Sequence, residues 1–152
     1  MSKVTFEINL YDSDEGFGGN VEVVKLGQHT YQLMCNTFFS EDVYYGTVIE
    51  VEDELTDDGY FKLKSIIKAS EYTQETYFLP IALNEAELRI VGGKIVEEGG
   101  YWEVVFGGMA LVNLPKKSLL DVNEELNDLQ KKKMIKRLLQ GLINHNHTKA
   151  KK

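Results

Sequence analysis

Apolar and polar residues alternate most regularly between residues 47 and 70, on both sides of a loop that contains Asp57-Asp58-Gly59. Residues 48–52 and 60–67 each have the period of two that is typical of a half-buried strand. Aspartate side chains and a glycine favour a chain reversal at that loop. The pattern predicts a long antiparallel hairpin, with a core of Ile49, Val51, Phe61, Leu63 and Ile66.

Alternation also predicts the other strands of the first 80 residues. Residues 4–10 place Val4, Phe6, Ile8 and Leu10 on one face, and an irregular segment follows them. Further strands are expected around residues 21–26, 29–34 and 75–79. With the central hairpin they make five or six strands, which predicts a curled antiparallel sheet or a partly open barrel.

The second half of the chain adds helices to this sheet. Asn84 and Glu87 have capping-box spacing, and Gly92-Gly93 is typical of a C-terminal stop, so we expect a short helix over residues 85–91. Residues 94–97 and 101–114 are interpreted as a hairpin, with a bulge at Gly107-Gly108. A long helix is expected from Ser118 to a stop at Gly141. The predicted class is α+β, with a helix-hairpin-helix half that is a partial ferredoxin-like unit.

The predicted C-terminal helix has two apolar stripes that are out of phase. Leu119, Val122, Leu126 and Leu129 form the first, and the second consists of Met134, Ile135, Leu138 and Leu139. A kink near Gln130 explains the shift, and so does a second half that packs on something else.

Size and composition favour a single domain. The chain has 152 residues and 43% apolar content, enough for one sizeable core. We expect one α+β domain over residues 1–143, mainly β up to residue 80, and a flexible basic tail over residues 144–152. The sequence has one cysteine and neither an apolar run of about 18 residues nor a signal-peptide pattern. It is therefore expected to be cytoplasmic and not bound to a membrane.

Charge is distributed unevenly along the chain. Residues 1–130 contain all 24 acidic residues and nine basic ones, a net charge of −15. Residues 131–152 contain eight basic residues and no acidic ones. The acidic body should attract basic surfaces and repel nucleic acid and anionic membranes, whereas the basic end is the one segment suited to phosphates.

No motif for catalysis, a cofactor or a metal is convincing. In Asp12-Ser13-Asp14-Glu15-Gly16, the EF-hand register fails because Phe17 and Val23 occupy the glycine and glutamate positions. Cys35 follows an apolar run and is interpreted as an inert thiol. No Gly-x-Ser-x-Gly pattern occurs. We expect no cofactor and no metal, and the sequence favours a binding protein over an enzyme.

Two functional hypotheses remain. The preferred one is a small protein-binding module, such as an immunity or inhibitor protein that neutralises a basic toxin or nuclease-like partner. Its predicted acidic hairpin face consists of Glu50, Glu52, Glu54, Asp57 and Asp58. The alternative is an enzyme or small-ligand-binding protein. Its predicted aromatic pocket is lined by Phe38, Phe39, Tyr44, Tyr45, Tyr77 and Trp102.

Short motifs give the chain a resemblance to a family. They are Tyr31-Gln32-Leu33, Asn36-Thr37-Phe38-Phe39, Gly46-Thr47-Val48-Ile49 and Asp58-Gly59, with later matches over residues 84–93 and 111–117. In this order they resemble DUF4265, an uncharacterised bacterial family of domains of unknown function. The chain departs from the family pattern in lacking proline before Phe38 and in having Thr47 in place of aspartate. The resemblance implies no known activity.

Overall fold

Five strands of the N-terminal half roll into a small barrel. The computed structural model of the protein describes residues 4–37 and 40–150. Neighbouring strands along the chain are antiparallel. The sheet is closed where the first and last strands run parallel, with Leu10 paired with Phe61 and Tyr11 paired with Lys62. This seam of two residue pairs confirms the predicted curled sheet. The strands are β1 (Thr5–Asp12), β2 (Phe17–Lys25), β3 (Thr30–Leu33), β4 (Val48–Val51) and β5 (Phe61–Lys68).

The predicted central hairpin is confirmed as β4 and β5. Gly59 has a φ of 85°, a left-handed conformation that glycine adopts without strain. Ile49 and Val51 are buried, as predicted, and Phe61 and Leu63 pack against the barrel core. The prediction that Ile66 belongs to the core was wrong, because its side chain is 40% exposed. Ile66 lies opposite Ile49, beyond an irregularity in the register that simple alternation does not anticipate.

The C-terminal half forms a three-stranded sheet with two helices. In the order β6-β8-β7, both outer strands are antiparallel to β8 and therefore parallel to each other. The helix between β6 and β7 makes this a split β-α-β unit, so the predicted partial ferredoxin-like half is confirmed. Its elements are β6 (Glu75–Phe78), α1 (Glu85–Glu97), β7 (Tyr101–Val105), β8 (Met109–Asn113) and α2 (Val122–Ala150).

Helix α1 begins where the sequence predicts and ends later. Asn84 Oδ1 accepts a hydrogen bond from Glu87 N at 2.9 Å, and Glu87 Oε1 accepts one from Asn84 N at 3.0 Å. The helix then continues through Gly92-Gly93, so the predicted stop there and the predicted strand over residues 94–97 were wrong. A Cβ on Gly92 would lie 2.2 Å from the Trp102 ring. Gly92 is therefore a point of close helix–sheet packing and not a cap.

Two other boundaries differ from the sequence prediction. The turn between β7 and β8 is formed by residues 106–108, so Gly107-Gly108 make a turn where the sequence predicted a bulge. The predicted helix stop at Gly141 was wrong, because α2 runs through that residue. An interior glycine costs a helix only about 1 kcal/mol, which neighbouring good helix formers offset.

The helices pack on one face of the second sheet and form a core separate from that of the barrel. Val91 and Ile95 of α1 meet Val122 and Leu126 of α2 there. Lys94 pairs with Glu125, and Lys133 pairs with Glu87, so the helices run antiparallel. Within the described part of the chain, neither helix combines the length and the apolar character that a membrane span needs.

Candidate protein-binding surface at the junction of barrel and second sheet

A buried pair of asparagines joins the barrel to the second sheet. Asn36 Nδ2 donates to Asn113 Oδ1 at 2.7 Å, and Asn36 Oδ1 accepts from Tyr45 N at 3.3 Å and Gln74 Nε2 at 3.0 Å. Asn113 Nδ2 donates in turn to Thr73 O at 3.1 Å. Among the described residues, every buried side-chain nitrogen and oxygen has a partner. Such a satisfied polar network fixes how the two halves meet.

Three carboxylates lie near Cys35, the residue before Asn36, and we call them the junction cluster: Glu7, Glu22 and Glu103. Glu7 and Glu22 lie directly opposite each other on β1 and β2, and both are exposed. Glu103 comes from β7, and its Oε1 accepts from Asn36 Nδ2 at 3.2 Å. Glu22 N donates to Cys35 Sγ at 3.2 Å, which places the thiol beside the cluster. The three acids thus come from two neighbouring strands of the barrel and from one strand of the second sheet.

The junction cluster disfavours the ionised forms of its neighbours. Burial raises the pKa of the Cys35 thiol, the hydrogen bond from Glu22 N lowers it, and the carboxylates of Glu103, Glu22 and Glu7 raise it further. Burial and then the Glu103 carboxylate raise the pKa of Tyr101 to about 12. A thiol held neutral is a poor nucleophile, which agrees with the interpretation of Cys35 as inert.

No basic side chain neutralises the junction cluster within residues 4–37 and 40–150. The ion pairs in this part of the chain involve other carboxylates, such as Glu50, Glu71 and Glu85. Like charges directly opposite each other on neighbouring strands are destabilising. In the same ranges no group of three His, Cys, Asp or Glu side chains is arranged to hold a metal ion.

The predicted acidic hairpin face is less uniform than the alternation suggests. Strand β4 ends at Val51, so Glu52 and Glu54 lie in the loop. Glu50 is half-buried and lies 3.7 Å from Lys64 Nζ, while Ser65 Oγ donates to it at 3.4 Å. Glu54, Asp57 and Asp58 are fully on the surface. Asp58 also lines a shallow groove of about 370 Å³, whose other walls are Tyr11, Gly18, Thr56 and Tyr60.

The residues of the predicted aromatic pocket lie in two separate places. Tyr77 and Trp102 pack in the second core, around a space of only about 10 Å³. Tyr45 lies at the junction, where its ring stacks on Tyr101 with the centroids 4.5 Å apart. Tyr44 donates from its hydroxyl to Tyr72 O at 3.1 Å. Phe38 and Phe39 lie outside the described residues.

Sequence reasoning missed the junction cluster. Glu7 and Glu22 alternate with apolar residues in two predicted strands, but the pattern does not give the register between those strands, and Glu103 lies 81 residues after Glu22. Only the pairing of β1 with β2 and the docking of β7 reveal that they meet. The alternating Glu7 and Glu22 positions were the one available signal, because outward-facing residues of a hairpin must meet partners on the next strand.

The comparisons with known proteins agree with a small α+β fold and give no function. A solved structure of a hypothetical protein from Neisseria gonorrhoeae is similar, with 17% sequence identity and a TM-score of 0.50. The match covers 86% of this chain and 89% of that one, and at this identity it shows the fold alone. No family model and no curated protein matches the chain, so the resemblance to DUF4265 stays an expectation.

Proposed function

We propose that this protein is a cytoplasmic protein-binding module that neutralises a partner with a basic surface. An immunity or inhibitor protein that covers the basic site of a toxin or nuclease-like enzyme fits this description. The proposed centre of contact is the junction cluster, into which the partner inserts lysine or arginine side chains. Arginine suits such a site well, because its planar guanidinium bonds two carboxylates in a fixed geometry.

The observation that supports this proposal is the uncompensated charge of the junction cluster. Glu7 and Glu22 face each other across two strands, and no basic side chain within residues 4–37 and 40–150 pairs with them, at some cost to the free energy of folding. A cationic partner would turn this repulsion into attraction. Binding surfaces commonly sacrifice stability in this way.

The acidic hairpin face has a different proposed role. Its exposed members, Glu54, Asp57 and Asp58, add to the net charge of −15 over residues 1–130. Charges at the rim of a contact raise the association rate through long-range attraction, whereas charges inside it also slow dissociation. We therefore assign steering to the hairpin face and retention to the junction cluster.

The test uses the variant Glu7→Gln with Glu22→Gln. Because the amides keep the size of the side chains and remove the repulsion, the free energy of unfolding should rise by about 0.2–1 kcal/mol. Immobilised wild-type protein should capture a basic protein from bacterial lysates at low salt and release it at 1 M salt. The variant should lose that capture despite its greater stability.

A matched control distinguishes an effect of the junction cluster from an effect of the total net charge. Glu97→Gln with Asp128→Asn removes two exposed acids from the helices at constant side-chain size, and it should capture the same protein as the wild type. Equal capture by all three proteins, or equal loss in both variants, would contradict a specific role for the junction cluster. Lower stability of the Glu7→Gln, Glu22→Gln variant would contradict the repulsion on which the proposal depends.

A further inference from the structure

The distal half of α2 has an apolar face that stays exposed among the residues that the structure describes. Six residues form this distal stripe, and each is between 54% and 64% exposed. At 3.6 residues per turn, the stripe is centred roughly 160° around the helix from the row that packs in the core. The core row is Val122, Leu126 and Leu129, and the distal stripe is Met134, Ile135, Leu138, Leu139, Leu142 and Ile143.

The geometry of α2 directs most of the distal stripe away from the body of the same chain. The helix is continuous from Val122 to Ala150, so both stripes belong to one rigid element. Lys133 fixes its rotation, because its Nζ bonds to Ala82 O and to Glu87. From Met134 to Ala150 the helix extends about 25 Å at 1.5 Å per residue, with the distal stripe facing away from the core.

The size of the distal stripe indicates an interface with another molecule. Six half-exposed aliphatic side chains present apolar surface on the order of 400 Å², a size at which exposed patches mark interaction sites. A stable dimer needs about 800 Å² from each partner. The contact must therefore also include surface outside the stripe.

The distribution of charge indicates which surface the distal half of α2 contacts. From Lys131 onward the chain has eight basic residues and no acidic ones, while residues 1–130 have a net charge of −15. Two such helices alone would repel each other, and an anionic membrane would repel the acidic body. The acidic body of a second copy is attracted to the basic helix and supplies the additional area.

We propose that the distal half of α2 binds a second copy of this chain. In the two-fold dimer each distal stripe is buried against the partner, and the basic residues beside it, Lys132 and Lys136, lie against the partner's acidic body. A two-fold arrangement uses the same patch on both copies, so the assembly closes at two. This inference is independent of the proposed binding of a basic protein.

Sedimentation equilibrium of the full chain tests the dimer. At about 50 µM the wild type should have twice the mass of the chain, and dilution should dissociate it. Leu138→Glu with Leu142→Glu should be monomeric with an unchanged circular dichroism spectrum, because both residues are exposed. The matched control, Val96→Glu with Leu119→Glu, changes apolar residues that are 61% and 98% exposed elsewhere and should remain dimeric. A monomeric wild type, or the same mass for both variants, would overturn the proposal.

Two further measurements test the identity of the occupant. Lys132→Glu with Lys136→Glu should raise the dimer dissociation constant at least tenfold, and an unchanged constant would overturn the placement against an acidic body. Vesicles of phosphatidylcholine with and without phosphatidylserine test the competing occupant. If the wild type is monomeric and cosediments only with the vesicles that contain phosphatidylserine, the distal stripe binds a lipid surface and the proposed dimer is wrong.

Discussion

Asn113 is fully buried in β8, and its side-chain amide contacts both halves of the molecule. It accepts from Asn36 and donates to the backbone of Thr73. A hydrophobic pattern does not distinguish this asparagine from one in a turn, since polar residues are normally exposed. Its environment depends on the pairing of β8 with β6 and on the docking of the barrel loop, neither of which is local in sequence.

We expect Asn113→Ala to lower the free energy of unfolding by about 1–3 kcal/mol, because Asn36 and Thr73 lose a buried hydrogen-bond partner. Urea denaturation gives this value. Asn20→Ala serves as the control, since Asn20 is exposed on β2 and should change stability by less than about 0.5 kcal/mol. Equal effects of the two substitutions would show that the asparagine network does not hold the halves together.

Tyr101 should make stability fall at alkaline pH. Burial and the Glu103 carboxylate raise its pKa to about 12 in the folded protein, above the ordinary tyrosine pKa of about 10, so the unfolded chain loses its phenol proton first. The contribution of Tyr101 to the free energy of unfolding is therefore complete below pH 10 and is lost as the pH rises toward 12. Tyr101→Phe keeps a ring stacked on Tyr45 and lacks the ionising group. Urea denaturation at pH 9 and pH 11 should show a smaller loss for this variant; equal losses would contradict the pKa shift.

Replacing each of two adjacent glycines in α1 by alanine should change the free energy of unfolding in opposite directions. Gly93→Ala meets no atom within 4 Å, so better helix propensity should raise stability by up to about 1 kcal/mol. Gly92→Ala places a methyl group 2.2 Å from the Trp102 ring, and displacing a packed indole should cost about 1–3 kcal/mol. Thermal and urea denaturation of the two variants measure both changes. A gain in both would mean that the indole moves freely.

The same helix shows where sequence reasoning succeeds and where it fails. The capping box at Asn84 is local chemistry and was predicted, as was the central hairpin with its Asp-Asp-Gly loop. The end of α1 was missed because a pair of glycines also permits a helix to approach an aromatic ring closely. That use depends on Trp102, which belongs to a strand that packs on the helix only in the folded chain.

The candidate binding surface was only partly predictable for the same reason. The acidic composition and the hairpin acids follow from the sequence. The alternation of glutamates continues past Val51, however, where β4 ends and the chain is a loop with no fixed outer face. The junction cluster depends on strand register and on docking of the two halves. The second apolar stripe of α2 was predicted from the sequence. In the structure, both stripes belong to one continuous helix, and the second stripe is exposed.

At the scale of the whole molecule, charge is divided between an acidic body and a basic helix end. The body is expected to meet basic partners and the helix end to meet acidic surfaces, so one chain offers two complementary contacts. The junction cluster and the distal stripe lie on different elements. Variants in one should therefore leave the other contact unchanged.

The association and dissociation rates of the captured basic partner test the central claim most directly. We expect Glu7→Gln with Glu22→Gln to speed dissociation at least tenfold, because charges inside a contact determine how long it lasts. Glu54→Lys with Asp57→Lys, at exposed positions of the hairpin face, should mainly slow association, and the effect should shrink as salt approaches 1 M and the screening length falls to about 3 Å. An unchanged dissociation rate for the Glu7→Gln, Glu22→Gln variant, measured on folded protein, would contradict the junction cluster as the binding centre.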